Sequence, residues 1–344
     1  MDKEIINEWV QEAETWLKQI GINMRLTYRP DLTGSYTLYC CIGEFKDQAC
    51  LVKRYNPLHP EGGRTEVGNY RHFGHHAILP DLIALLPENA EEPQGILIQY
   101  FREELNTDEL SLIEVLAIGL NLATIFAYFS FDDRNQIYFD LKRDSLRIDE
   151  HGGLRLIDLT DLMVPEELYW RGRNLPVQPG AYHLVPPEGQ MYQEAYISFS
   201  KNLISLDEVA EAANRLRPEA YQTNSLARLI ISLLLGKELA DEEALKSLHS
   251  SSKFEPSSFT GGEQESFITL LESMLDSTPS SRCPLEEARK RLWSLIKPRI
   301  TGETPTQAHS LNRARRLLRT LTLNKDDPVS FELHLMLGDF WRIT

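Results

Sequence analysis

Lys53, Glu66, Asp140, Lys142 and Asp158 are the residues whose types and spacing are best suited to chemistry. Ammonium and carboxylate groups hold anions, hard cations and mobile protons. A carboxylate brought beside a lysine can fix that ammonium by a charge-assisted hydrogen bond. Lys53 closes the apolar run CLVK, Glu66 lies in TEVGNYRHFG, Asp140 and Lys142 share YFDLKRDS, and Asp158 comes directly after the apolar LRLI. Singly, each has a plainer reading: a solvated strand-end lysine, a solvated helix glutamate, an aspartate in a turn or cap. His72, His75 and His76 fall in a helical stretch and its exit without a carboxylate or thiol at ligand spacing, which argues against zinc.

These residues need elements to place them. Ile6, Trp9, Ala13, Trp16 and Ile20 recur at three- and four-residue steps, so residues 3–20 form an amphipathic helix that stops near Gly21 and docks on the strands after it. From Met24 to Tyr55, β-branched and aromatic runs broken by PDLTG and KD predict an antiparallel meander. A Gly-rich entry then leads into the helix TEVGNYRHFG, and ILPDLIALLP and GILIQYF supply two more strands, ending a first lobe near Arg102. A long apolar helix runs from Leu110 to Ser130. Two short strands flank the turn at His151-Gly152-Gly153, and beyond Pro187 the chain is mostly helical, including SLDEVAEAANRL, TNSLARLIISLLLG, EQESFITLLESMLD and PLEEARKRLWSLI.

The 344 residues suffice for two or three domains, and 51 acidic against 36 basic residues give a formal charge of -15. That charge opposes non-specific binding to nucleic acid or to an anionic membrane surface. The four cysteines form no CxxC pair, and adjacent Cys40 and Cys41 point to opposite faces of a strand. With a charged N-terminus, no signal-peptide pattern and no stretch expected to span a bilayer, the sequence predicts a cytoplasmic protein in a reducing compartment.

In order, spacing and residue type, Met24 to Lys297 resembles the protein kinase family. CLVK matches that family's strand-end lysine, and Glu66, ahead of HHAIL, matches the helix glutamate paired with it. YFDLKRDS resembles the catalytic loop HRDLKPEN, and LRLIDLT resembles the strand before DFG. GAYHLVPPE resembles the end of the activation segment, whose glutamate, here Glu188, pairs with a distant arginine, here Arg282 of STPSSRCP.

The resemblance implies an α+β bilobal fold. Its parts would be a docking helix (1–22), an antiparallel β-rich N-lobe (23–102), a helical C-lobe (103–300) and a helical tail (301–344). It also implies ATP and Mg²⁺ as cofactors, with Lys53, Glu66, Ile98 and Tyr100 at the nucleotide and Asp158 and Ser145 at the metal. Asp140 would orient the acceptor hydroxyl and take its proton, and Lys142 would neutralise the transferring phosphoryl group.

The sequence departs from the family pattern mainly in its chemistry. Between Arg29 and Lys53 the only glycines are Gly34 and Gly43, so little bare backbone is available to clamp phosphate. Leu51 replaces a small alanine and fills space where adenine stacks, and Ser145 replaces a metal-binding asparagine. Tyr138-Phe139 replaces His-Arg, which argues against switching by loop phosphorylation. Leu159-Thr160 replaces Phe-Gly, Ala181 replaces a threonine, and Gln222 stands where an aspartate opens the central helix, so the catalytic loop must be braced differently. These features leave two readings. One is a divergent, bacterial-type protein serine/threonine kinase working at a reduced rate; the other is a pseudokinase that signals or scaffolds without catalysis. A small-molecule phosphotransferase is disfavoured by Glu188 and Arg282.

The segment from Leu311, LNRARRLLRTLTLNKDDPVSFELHLMLGDFWRIT, resembles the second helix of one tetratricopeptide repeat and the first of the next. Such helices pack on a neighbouring lobe or continue into an array. Arg313, Arg315, Arg316 and Arg319 are expected to form a solvated basic face, the alternative being a face that binds an acidic partner, nucleic acid or lipid. Trp170, Arg171 and Arg173 are expected to pack on their own lobe, the alternative being that they read a substrate or occlude the cleft. The expected partner is a protein, substrate or binding partner, engaged through the C-lobe and tail.

Overall fold

Trp9, Ala13 and Leu17 recur every four residues, which gives helix α1 (Lys3–Gln19) one apolar face. In the computed structural model that face is buried with Met24, Tyr39, Cys41, Cys50, Val52, Leu86 and Leu97, and Trp9 stacks on Tyr39 at 5.4 Å. The structure describes residues 3–33, 37–58, 60–88, 92–107, 110–130, 135–165, 168, 184–236, 245, 247–248, 259, 262–304 and 306–322. Two polar ties hold α1 in register: the Leu26 amide donates to Glu14 Oε1 at 2.8 Å, and Arg54 pairs with Glu12 at 3.4 Å.

The sheet beneath α1 is antiparallel, in the order β1 (Thr27–Tyr28), β2 (Thr37–Phe45), β3 (Gln48–Tyr55), β5 (Gly95–Gln99), β4 (Leu82–Leu86). Side chains alternate across a sheet, so the register decides which residues share a face. Cys41 pairs with Val52 and Val52 with Leu97, and these face α1. Cys40, Lys53 and Ile96 lie in the next row and share the opposite face with Ile42, Leu51 and Ile98. Helix α2 (Pro60–Phe73) starts five positions before the helical stretch read from the sequence, so Gly62 and Gly63 belong to its first turn rather than to an entry loop. A proline suits the first helical position, where no intrahelical donor is needed. Gly63 is required for packing, because a Cβ there would sit 2.5 Å from the ring of Tyr55. These elements form one compact unit, Met1–Glu103 with Arg155–Asp161.

The second unit, Glu104–Leu154 with Leu162–Thr344, is built around helix α3 (Leu112–Ser130). The sequence reading expected no segment able to span a bilayer, yet α3 is long and apolar enough to do so. Most of it is buried inside the protein, the environment of a core helix. Along the middle of the chain come the short strands β6 (Glu103–Glu104), β7 (Ile137–Tyr138), β8 (Leu146–Ile148), β9 (Leu154–Leu156) and β10 (Leu162–Met163), with β10 antiparallel to β7 and most of β9 belonging to the first unit. The turn between β8 and β9 is closed by Asp149, whose Oδ1 accepts from the amides of His151 and Gly153.

Beyond β10 come the helices α4 (Pro187–Ser200), α5 (Leu206–Asn214), α6 (Pro218–Leu235), α7 (Glu263–Leu275), α8 (Leu285–Ile300), α9 (Ala308–Leu317) and the short α10 (Arg319–Thr322). Ser205 and Glu208 form a reciprocal capping box that starts α5. The chain is thus α+β, with antiparallel strands in its N-terminal half and helices in its C-terminal half.

The tail packs on α3. Asn121 Nδ2 donates to the Leu317 carbonyl at 3.1 Å, Thr320 Oγ1 donates to Asn121 Oδ1 at 2.9 Å, and Arg313 pairs at 2.7 Å with the buried Glu114. The expected solvated basic face is therefore reduced: Arg313 is tied to Glu114 and Arg315 donates to the Ile300 carbonyl. Residues 323–344, which carry DDP and LGDFW, lie outside the described residues, as do Gly34, Trp170, Arg171, Arg173 and Ala181.

Candidate functional site

Lys53 sits on β3, on the sheet face turned away from α1, and Glu66 projects from the first half of α2. They meet: Lys53 Nζ lies 2.7 Å from Glu66 Oε1 and 3.5 Å from Asp158 Oδ1. Lys53 is 8% exposed and Glu66 is fully buried, so this pair lies in low dielectric, where a charge without its partner is costly. Burial alone would lower the Lys53 pKa, but Asp158 and Glu66 outweigh it and hold the ammonium well above its usual range. Burial pushes the Glu66 carboxyl up, and Lys53 offsets part of that rise.

Asp158 comes just after β9, within the same compact unit as Lys53 and Glu66. Its backbone is left-handed, φ +67°, a conformation that aspartate tolerates better than most residues and one that re-aims the side chain at the end of the strand. Thr160 Oγ1 donates to Asp158 Oδ1 at 2.7 Å, and the Asn69 amide from α2 donates to the Leu159 carbonyl at 2.8 Å. The Leu156 amide donates to the Ile78 carbonyl at 2.8 Å, anchoring the segment from its other end. Asp158 keeps a half-exposed carboxylate beside Lys53, a donor suited to a hard cation such as Mg²⁺.

Ile98 pairs with Leu51 across β5 and β3, and both side chains are buried on the Lys53 face. Tyr100 continues the ladder, its amide donating to the Ala49 carbonyl at 2.9 Å, and its phenol lies beside the Arg29 guanidinium. Cys40, the cross-strand neighbour of Lys53, donates its thiol to the Leu32 carbonyl, and burial pushes that thiol up to about 12.

In the second unit, the loop after β7 carries Asp140, Lys142 and Ser145. Lys142 Nζ lies 2.5 Å from Asp140 Oδ2, so these two expected catalytic side chains pair with each other. Ser145 is buried and donates its hydroxyl to the Asp140 carbonyl at 3.0 Å, which makes it a brace of the loop. Arg143 anchors the same loop to the end of α6, donating to the Ser232 carbonyl at 2.6 Å and to Ser232 Oγ at 2.8 and 3.0 Å. Gln222 lies inside α6, one turn beyond its start, and ties that helix to Ser130 Oγ at 2.9 Å and the Gln136 carbonyl at 3.1 Å.

Glu188 and Arg282 also meet, through 2.5 and 2.9 Å contacts, and Arg282 further donates to the carbonyls of Asp276 and Ala220. The sequence reading did not single out Asn69, Tyr55, Tyr70 or Arg143, and it named Thr160 only as a departure from the family pattern. Tyr55 stands two positions from Lys53 on one strand and Tyr70 four from Glu66 on one helix, spacings that share a face and were available as a signal. Among the described residues no group of three or more His, Cys, Asp or Glu side chains could hold a metal ion. No protein-family model matches the chain, and no curated protein matches it.

Proposed function

We propose that the protein is a divergent protein serine/threonine kinase that works slowly. One observation carries the reading: Lys53 is held by the buried Glu66 at 2.7 Å with the Asp158 carboxylate 3.5 Å away. Mg·ATP, when bound, supplies the phosphoryl group and the divalent charge that neutralises it. Lys53 holds the nucleotide phosphates, with its ammonium fixed by Glu66. Asp158 offers an oxygen ligand to Mg²⁺, which takes one or two carboxylates beside phosphate and water. Asp140 orients the acceptor hydroxyl of a protein substrate and takes its proton, and Lys142 offsets charge on the transferred group. Ser145 does not fit as a metal ligand, since it is buried with its hydroxyl on the Asp140 carbonyl, and this supports a reduced rate.

A second reading, a pseudokinase that signals or scaffolds without turnover, is favoured by Leu51 and Ile98, which are buried side by side on the Lys53 face. Incubation with γ-labelled ATP and Mg²⁺, with and without a protein acceptor, separates the two. Label on protein that is lost in Asp140→Asn supports the kinase. Nucleotide binding without label supports the pseudokinase.

A further inference from the structure

Cys40 points away from α1, on the sheet face that carries Lys53, and is nonetheless fully buried. What its thiol meets is the chain between β1 and β2. The Arg29 amide donates to the Cys40 carbonyl at 2.8 Å, which extends the β1–β2 ladder by one residue and puts the Arg29 side chain on the Lys53 face. Pro30–Leu32 then form a 3-10 turn, and the Cys40 thiol donates to the Leu32 carbonyl at 3.1 Å. Residues 30–33 therefore fold under the sheet as a strap instead of prolonging the hairpin in its plane. The Cys40 thiol is within electrostatic reach of Lys53, Glu66, Asp158 and Asp31, so the strap stands beside the charged cluster. With the strap down, the Lys53 side chain is only 10% exposed.

The strap is held together better than it is held down. Thr33 Oγ1 donates to the Pro30 carbonyl at 2.8 Å, and the Leu32 and Thr33 amides close the turn on the carbonyls of Arg29 and Pro30. Among the described residues, its side-chain ties to the sheet are the Cys40 thiol, a weak donor, and the Arg29 guanidinium, which pairs with Asp31 at 2.6 and 2.8 Å and lies beside the Tyr100 phenol just beyond β5. The Arg29–Asp31 pair is solvent-exposed, so salt screens it and it holds weakly. We propose that residues 30–33 are a strap that closes the Lys53 face in the unliganded protein and lifts as a unit, with Arg29 as its clasp, to open that face to a phosphate-bearing ligand. A stiff turn on weak ties opens without unfolding the sheet, whose ladder stops at Arg29. The lifting is a property of this chain alone, whereas the ligand it admits rests on the kinase reading.

Site-resolved alkylation of the full chain without nucleotide, read by mass spectrometry, tests the lifting. Cys40 lies under the strap and Cys41 under α1, so the two thiols report the two faces of one sheet. In the native protein both should label slowly, with Cys40 faster than Cys41 and indifferent to low urea, because its exposure takes only a local opening. Arg29→Ala should speed Cys40 labelling roughly two- to five-fold, the worth of an exposed ion pair, and leave Cys41 unchanged. Loss of a nearby positive charge would by itself slow a thiolate, so a rise reads opening. A Cys40 rate no higher than that of Cys41, or one unmoved by Arg29→Ala, overturns the strap. The same variant should bind Mg·ATP more tightly by the same factor, since the open fraction sets the apparent affinity, and an unchanged affinity overturns the strap's role as a gate. Faster Cys40 labelling with no nucleotide binding supports the strap and counts against the kinase reading, so the two fail separately.

Discussion

Glu188 and Arg282, 94 positions apart in sequence, form a bidentate ion pair at 2.5 and 2.9 Å in which both side chains are buried. The arginine also satisfies two backbone carbonyls, so it locks the start of α4 to the segment before α8. Arg282→Ala would leave the Glu188 charge buried without its partner, and a loss of about 3–5 kcal/mol in folding stability is expected. Urea denaturation measures it. A loss below about 1 kcal/mol would contradict the structural role given to the pair.

Gly63 and Gly68 lie on the same helix, yet substitution should move stability in opposite directions. At Gly63 a Cβ would fall 2.5 Å from the Tyr55 ring, so Gly63→Ala should cost about 1–3 kcal/mol through overpacking. At Gly68 a Cβ meets nothing within 4 Å, so Gly68→Ala should stabilise by about 0.5–1 kcal/mol through helix propensity. Thermal melts of the two variants side by side check the packing of α2 on β3.

Cys40 and Cys41 have thiols pushed up to about 12 by burial, from an ordinary value of 9.0. The unfolded chain therefore releases these protons first, near pH 9, while the folded protein keeps them. Between about pH 9 and 12 the unfolded state binds fewer protons, so stability should fall as pH rises through that window. Below it the two thiols make no pH-dependent contribution. Alkylation at pH 8 should accordingly be slow in the native protein and fast in urea, and rapid native labelling at Cys40 would contradict its burial beside Lys53.

Asn121 clasps the tail helices to α3 by accepting from Thr320 and donating to the Leu317 carbonyl. Asn121→Ala should cost about 1–3 kcal/mol, because it leaves buried partners unsatisfied. Hydrogen exchange should localise the loss to residues 308–322. Protection there that stays unchanged would show that Asn121 does not hold the tail.

Periodicity and residue class carried most of the elements. The three- and four-residue steps of Ile6, Trp9, Ala13, Trp16 and Ile20 and the β-branched and aromatic runs between Met24 and Tyr55 are local patterns, and they led to the observed helix α1 and strands β2 and β3. The pairings of Lys53 with Glu66 and of Glu188 with Arg282 came from motif order instead, since nothing local links residues so far apart. The start of α2 was misplaced because paired glycines signal a loop, while Gly63 in fact serves the approach of a tyrosine ring. Ser145 was assigned by position, but burial and the nearby Asp140 carbonyl turned its hydroxyl to the loop. Arg143 escaped notice because its partners, Ser232 and Gly236, are about ninety positions away.

The central claim is that Lys53, Glu66 and Asp158 hold nucleotide phosphate through Mg²⁺. Thermal unfolding of the full chain against ATP, with and without Mg²⁺, tests it most directly, alongside Lys53→Met, Asp158→Ala and Asp140→Asn. At roughly a hundred-fold excess of ATP over its dissociation constant, binding should add about 2.7 kcal/mol, read as a rise in Tm that requires Mg²⁺. The rise should vanish in Lys53→Met and Asp158→Ala and persist in Asp140→Asn. No Mg²⁺-dependent rise at saturating ATP, or a rise that survives loss of Asp158, would contradict the assignment.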